Sequence, residues 1–379
     1  MRKVLFVFGT RPEAIKLCPV IRSFRTLYSG LIQPLVCLTG QHHDLVAPVL
    51  QAFDVRPDFD LAESRATTTL TSSSARILAA LEGVLRGVRP DLAIVQGDTT
   101  STFCGAMAAF YSQVPVAHVE AGLRTGDRSR PFPEEAHRVL TARLAHLHFA
   151  ATEQARVNLL KEGVPEAAVS MTGNTGVDAV LDVAARLGDG RMDVPIPLWL
   201  DPSKRLLLAT MHRRESFGAP LRNALRALAE IARRDDVQVV IPLHPNPEVR
   251  RAAADVNISE NLVIIEPQPY IAFVDLLRRC YLVFTDSGGI QEEAPSLGKP
   301  VLVLREETER GEAVDCGSAV LCGADTARIA AEASRLLDDR NAYLRAARPT
   351  KVFGDGSASG RIAETSAKFL GVRALHAAV

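Results

Sequence analysis

Short apolar runs alternate along this chain with longer segments in which apolar residues recur every three or four positions. Residues 4–8, 32–38, 92–96, 116–119 and 147–151 have the length and composition of buried strands. Between them, 13–29, 70–88, 101–111 and 135–145 carry helical spacing, and Pro19 predicts an interruption in the first. A second series of strands follows at 205–211, 237–241, 262–265, 281–285, 301–304 and 319–322. This alternation predicts parallel sheets covered by helices on both faces. The Gly-, Asp- and Pro-rich stretch 188–203 separates the two series. The pattern therefore predicts an α/β protein of two Rossmann-like halves, joined within residues 165–200.

In such sheets ligands sit beyond the carboxyl ends of the strands, so the residues just after each strand carry the information. In both halves they are polar. The first half offers Thr10, Arg11 and Lys16, then Gln41-His42, Gly97-Asp98-Thr99-Thr100, and Glu120 before Ala121-Gly122; the second offers His212-Arg213-Arg214-Glu215, His244 and Asp286-Ser287-Gly288-Gly289. Polar strand ends in both halves predict one ligand held in a cleft between them. Gly288-Gly289 ahead of a helix predicted over 290–297 lets backbone N–H groups approach an anion, although an ordinary strand–helix turn has the same pattern. Asp98, taken alone, reads as a cap of the helix predicted from Ser101. Glu134 and Glu135 follow Pro131-Phe132-Pro133 as a helix N-terminus, with Arg138 on the same face.

Charge and cysteine usage narrow the class. Lys+Arg and Asp+Glu are both 44 in 379 residues, which gives no field for nucleic acid or an anionic membrane. Arg2-Lys3 before an apolar run resembles the start of a signal peptide, but Gly9-Thr10-Arg11 ends that run too early, and no stretch reaches the ~18 apolar residues of a membrane span. A soluble cytoplasmic protein is expected. Six scattered cysteines without a CxxC pair predict reduced thiols as small core residues, and without an HExxH pattern no metal is expected. A single glycine, Gly9, in place of GxGxxG argues against a nicotinamide, so no cofactor is expected.

Taken in order, these loops resemble a known family. Gly9-Thr10-Arg11-Pro12-Glu13-Ala14-Ile15-Lys16, Gly97-Asp98-Thr99-Thr100, His118-Val119-Glu120-Ala121-Gly122-Leu123-Arg124-Thr125, Pro131-Phe132-Pro133-Glu134-Glu135, His212-Arg213-Arg214-Glu215 and Ser287-Gly288-Gly289-Ile290-Gln291-Glu292-Glu293 resemble the motifs of the non-hydrolysing bacterial UDP-N-acetylglucosamine 2-epimerases. The likeness runs from Val4 to about Ile362. It implies a GT-B glycosyltransferase-type fold with an interdomain active-site cleft: an N-terminal domain 1–170 joined by a C-terminal helix 363–379, and a UDP-binding domain 171–362. It also implies a homodimer that interconverts UDP-GlcNAc and UDP-ManNAc through 2-acetamidoglucal, for cell-surface polysaccharide synthesis.

Carried over by position, the resemblance makes Asp98, Glu120 and Glu134 the acid/base set and His212 the catalytic partner of the diphosphate, with Arg11, Lys16 and Arg138 around it. It places phosphates at Ser287, Gly288 and Gly289, ribose at Glu293 and uracil near Phe273. It implies a second UDP-GlcNAc as activator near Gln41, His42 and Arg65. The chain departs from the family's usual Asn at Ser216 and His137, and from its Pro at Gly311. The alternatives are a hydrolysing 2-epimerase releasing ManNAc and UDP, a 2-epimerase for another UDP-2-acetamido sugar, a glycosyltransferase, or a nucleotide-sugar sensor.

Overall fold

The structure is a computed structural model that describes residues 1–41, 43–61, 69–213, 216–256 and 259–373. It divides into two units, Met1–Ala179 with Gly354–Val379, and Val180–Phe353.

In the first unit, β1 (Arg2–Phe8), β2 (Ile32–Leu38), β3 (Phe59–Asp60), β4 (Leu92–Gln96), β5 (Val116–Ala121), β6 (Leu147–Ala150) and β7 (Val169–Met171) form a parallel sheet in the order β3-β2-β1-β4-β5-β6-β7. Its helices are α1 (Arg11–Leu27), α2 (His43–Ala52), α3 (Leu70–Val88), α4 (Thr100–Tyr111), α5 (Glu134–Leu144) and α6 (Glu153–Lys161), and α7 (Thr175–Gly188) crosses the division. Alternate residues of β1 serve opposite faces, as period-two geometry requires. Leu5 and Val7 join the core under α3 and α4, whereas Phe6 meets Phe24 of α1 edge-on at 5.7 Å. A Cβ at Gly105 would stand 3.0 Å from Val7 and Val95, so the glycine lets α4 lie close on the sheet.

The second unit contains β8 (Arg205–Thr210), β9 (Val237–Pro242), β10 (Leu262–Ile265), β11 (Leu282–Thr285), β12 (Val301–Val303) and β13 (Ala319–Leu321), parallel in the order β10-β9-β8-β11-β12-β13. Its helices are α8 (Ala219–Ile231), α9 (Pro247–Ala254), α10 (Tyr270–Arg279), α11 (Gly288–Ser296), α12 (Gly311–Asp315), α13 (Thr326–Asp338) and α14 (Arg340–Ala346). Leu207, Ala209, Leu282 and Phe284 pack with Leu225 and Leu228 of α8 and Ile329 and Leu336 of α13.

Three expectations change. α1 begins at Arg11 and runs unbroken through Pro19 to Leu27. The predicted interruption fails because proline removes one N–H, and the buried residues around it (Ile15, Leu17, Cys18, Val20, Ile21) hold the helix against the sheet. α11 begins at Gly288, so the two glycines are its first turn and not a loop before it, and Glu292 and Glu293 fall after that turn. Of the six cysteines five are buried as expected, but Cys316 is exposed.

The last helix, α15 (Ala358–Phe369), belongs to the first unit, where it packs on α1. Its first turn is capped from a distance: buried Asp178 of α7 accepts the N–H of Ala358 (3.2 Å) and both the N–H and hydroxyl of Ser359 (2.7 and 2.6 Å). Asp178→Ala leaves those buried donors without an acceptor and is expected to cost about 2 kcal/mol of stability. Urea unfolding checks this, and an unchanged midpoint would mean that α15 is held by packing alone.

Candidate functional site

Each sheet has one place where neighbouring strands lead the chain away in opposite directions, and there two loops part and leave a crevice. In the first unit it lies between β1 and β4. There Glu13 turns back from the first turn of α1 to accept the N–H groups of Gly9 (3.0 Å) and Thr10 (2.8 Å). The hydroxyls of Thr99 (2.7 Å) and Thr102 (3.0 Å) reach it from the β4–α4 side.

Beside this crevice the predicted carboxylates gather. Gly97 turns with φ +74°, and His118 Nε2 lies 2.7 Å from its carbonyl oxygen. Burial pushes the His118 imidazole down to about 3, so the ring is neutral and donates from Nε2. Asp98 follows. Thr99 caps α4 by accepting the N–H of Thr102 at 3.1 Å, which leaves the Asp98 carboxylate to Arg138 Nη2 at 2.5 Å. Arg138 is buried and also meets Glu135 at 3.3 Å. Desolvation raises the Asp98 pKa, Arg138 opposes it, and the nearby Glu120 and Glu134 charges raise it further. His137 fixes the same loop, with Nδ1 3.0 Å from the Asp98 carbonyl oxygen and its ring stacked on Phe103.

Glu120 stands at a register shift in the β5–β6 pairing with φ +63°. A glutamate in that left-handed region carries roughly 1–3 kcal/mol of strain, which persists only where surrounding contacts enforce it. Lys16 Nζ supplies two of them, at 2.7 and 2.6 Å from the two carboxylate oxygens, and the Gln96 amide donates a third. Glu134 opens α5, half-buried and without a hydrogen-bond or ion-pair partner among the described residues. Buried Glu135 behind it accepts the N–H groups of Thr125 and Gly126 and steadies the preceding loop. The first unit thus assembles carboxylates in unlike settings, one with its proton held more firmly, one paired to an ammonium and one open.

In the second unit the crevice lies between β8 and β11, whose last residues Thr210 and Thr285 are joined by their hydroxyls at 2.8 Å. Asp286 follows β11, wholly buried, and accepts the N–H groups of His212 (3.1 and 3.0 Å) and Arg213 (2.9 Å); His212 Nδ1 lies 3.2 Å away. Burial alone would raise its pKa, but His212 and these N–H groups outweigh it and hold the carboxyl below its usual range. The His212 side chain stays 43% exposed and stacks on His244, ring centres 5.9 Å apart. Ser287 precedes α11, and the first-turn N–H groups of Gly288, Gly289 and Ile290 have no acceptor within the helix, which makes an anion seat. A Cβ at Gly288 would come 2.8 Å from the Arg310 guanidinium, which is tied to Glu292 at 2.8 Å. Close packing is thus a second reason for that glycine.

The remaining candidates are spread around these two crevices. Arg11 is exposed at the start of α1, Phe273 and Glu293 are half-buried on α10 and α11, and exposed Gln41 accepts the Ser101 hydroxyl at 2.8 Å. His42 and Arg65 lie outside the described residues, as do Arg214 and Glu215. Glu13, His118 and Asp286 fall within the strand-end and motif stretches without a role of their own, whereas Gln96 and Arg310 fall outside them. Thr10-x-x-Glu13 is a capping-box spacing that could have marked Glu13, and a carboxylate straight after an apolar strand could have marked Asp286. Nothing local marks the pairing of Arg310 with Glu292, 18 positions away on α11. Among the described residues no helix is long and apolar enough to cross a membrane.

The family model for UDP-N-acetylglucosamine 2-epimerase matches residues 29–367. The chain is 47% identical over 366 residues to the UDP-N-acetylglucosamine 2-epimerase of Yersinia pestis, covering 95% of this chain and 97% of that one. Among solved structures it is similar to the Neisseria meningitidis UDP-GlcNAc 2-epimerase bound to UDP-GlcNAc (42% identity, TM-score 0.89, 97% and 100% of the two chains). It is also similar to the Methanocaldococcus jannaschii UDP-GlcNAc 2-epimerase in complex with UDP-GlcNAc and UDP (31% identity, TM-score 0.79, 97% and 100%).

The depressed pKa of Asp286 has a signed consequence for stability. A carboxyl whose folded pKa lies below its unfolded value stabilises the fold above the unfolded pKa, and that contribution is lost as pH falls through the folded one. Asp286→Asn is therefore expected to cost about 1–3 kcal/mol at neutral pH, with the gap from wild type closing below about pH 4. Urea unfolding across pH checks it; a gap that does not change with pH would contradict the charge-based account.

Proposed function

The chain belongs to the UDP-N-acetylglucosamine 2-epimerase family, and on that premise we propose that it is a non-hydrolysing enzyme that interconverts UDP-GlcNAc and UDP-ManNAc by expelling UDP and adding it back. The C2 hydrogen of a sugar has no adjacent carbonyl to accept its electron pair. Loss of that proton becomes accessible when the pair forms a C1=C2 bond and the C1–O bond to the diphosphate breaks, giving 2-acetamidoglucal and UDP. In the return step a phosphate oxygen re-forms the bond to C1, and a proton is delivered to the other face of C2.

The observation that carries this reading is the strained Glu120 clasped by Lys16, one strand from an Asp98 whose pKa is raised. Proton exchange on two faces of one carbon needs an acceptor and a donor, and groups in unlike environments can provide both. Glu120 fits the acceptor, Asp98 the donor, and the unpaired Glu134 the remaining member of the set. Lys16 and Arg138 keep the cluster's charge in check. The leaving diphosphate falls to the N-terminus of α11 at Ser287, Gly288 and Gly289, beside the His212 imidazole, while Glu293 takes the ribose hydroxyls and Phe273 the uracil. The proposal includes a cytoplasmic homodimer and, at Gln41, a second UDP-GlcNAc as activator.

Incubation of UDP-GlcNAc in D2O, followed by NMR, tests the route. UDP-ManNAc with deuterium at C2 is expected. Free ManNAc with stoichiometric UDP would instead assign the hydrolysing reaction, and undeuterated UDP-ManNAc would rule out elimination. In the same assay Glu120→Gln should lower kcat by about 10²- to 10⁴-fold with UDP binding retained; wild-type turnover would remove Glu120 from the chemistry.

A further inference from the structure

We infer that Glu13 is a positioning residue for the acid/base cluster, a resident carboxyl group that occupies the first unit's phosphate seat at the β1–β4 crevice. Its kinetic consequence rests on the epimerase reading; its structural consequence does not.

Glu13 is 1% exposed, and its carboxylate accepts the N–H groups of Gly9 and Thr10 and the Thr99 hydroxyl, while the Thr102 hydroxyl 3.0 Å away donates its own proton to the Gln96 carbonyl oxygen at 2.6 Å. Those partners come from two loops. Gly9 and Thr10 lead into α1, while Thr99 caps α4 and directly follows Asp98. One carboxylate therefore ties the start of α1 to the start of α4. One turn along α1, three residues on, Lys16 reaches Glu120 from the same helix. The tie thus sets both the ammonium that holds Glu120 and the loop that presents Asp98. The β1–α1 loop has no slack with which to compensate: a Cβ at Gly9 would meet Thr39 Oγ1 at 1.9 Å and Ser101 Oγ at 2.5 Å.

The same geometry separates the tasks of the two units. A parallel α/β sheet receives a ligand's anionic group at this kind of crevice. In the first unit a side chain already accepts the donors there. In the second, Asp286 takes the N–H groups that follow β8, and the first turn of α11 is left for a ligand. Glu13 so confines the nucleotide to the second unit and keeps the first for proton transfer.

Full-length Glu13→Gln and Glu13→Ala test the inference. Glutamine matches the size but can set an amide NH2 against the Gly9 and Thr10 N–H groups; alanine empties the seat. Both should lower kcat for UDP-GlcNAc by roughly 10- to 100-fold with KM nearly unchanged, as for a misplaced catalytic group. Formate, a small carboxylate, should restore part of kcat to Glu13→Ala and raise its melting temperature, with no such effect on wild type. Wild-type kcat in Glu13→Gln, a loss confined to KM, or a folded Glu13→Ala that formate neither stabilises nor reactivates would each overturn the inference. If the alanine variant does not fold, the glutamine variant decides. Failure of the wild type to epimerise would instead remove the proposed function, and the formate effect on melting would still judge the seat.

Discussion

Unsatisfied backbone donors at a parallel-sheet crevice set the terms for the rest of this structure. Where two strands send the chain apart, the N–H groups of the departing loops and of the next helix's first turn point into one space, and leaving them buried without an acceptor costs about 1–3 kcal/mol each. The two units meet that demand differently. The first uses its own Glu13, which binds the β1–α1 and β4–α4 loops together. The second uses Asp286 for the donors after β8, and the first-turn N–H groups of α11 have no acceptor within the helix.

This difference gives each unit its chemistry. With its donors satisfied internally, the first unit concentrates carboxylates, and their mutual repulsion and burial spread their protonation preferences: Asp98 is pushed up against Arg138, while Glu120 is clasped by Lys16. The left-handed Glu120 is the cost of aiming a carboxylate from a strand end. The second unit presents a different setting, a half-exposed imidazole anchored by a buried aspartate near the first turn of α11. A reversible elimination needs both settings, because the proton and the leaving diphosphate must each be kept until the bond re-forms.

The fold was largely legible because its strands are continuous apolar runs: the predicted strands correspond to β1, β2, β4–β6 and β8–β13. The exceptions, β3 and β7, are edge strands whose residues, Phe59-Asp60 and Val169-Ser170-Met171, form no continuous apolar run. Pro19 misled because a helix packed along a sheet tolerates one missing hydrogen bond. The loops holding Asp98, Glu120, Glu134 and His212 could be found as polar residues following strands. Their pairings could not: Arg138 reaches Asp98 across 40 positions and Lys16 reaches Glu120 across 104. Local spacing carries no trace of contacts made by sheet order.

The central claim is that UDP leaves and returns while the carboxylates exchange the C2 proton. It is tested most directly with UDP-GlcNAc carrying ¹⁸O in the oxygen that bridges C1 and the β-phosphate, followed by ³¹P NMR as UDP-ManNAc forms. Breaking the C1–O bond frees that oxygen to exchange places with the other β-phosphate oxygens, so the account predicts that the label spreads to non-bridging positions in both UDP-sugars. Label that stays wholly in the bridge through complete equilibration would contradict it.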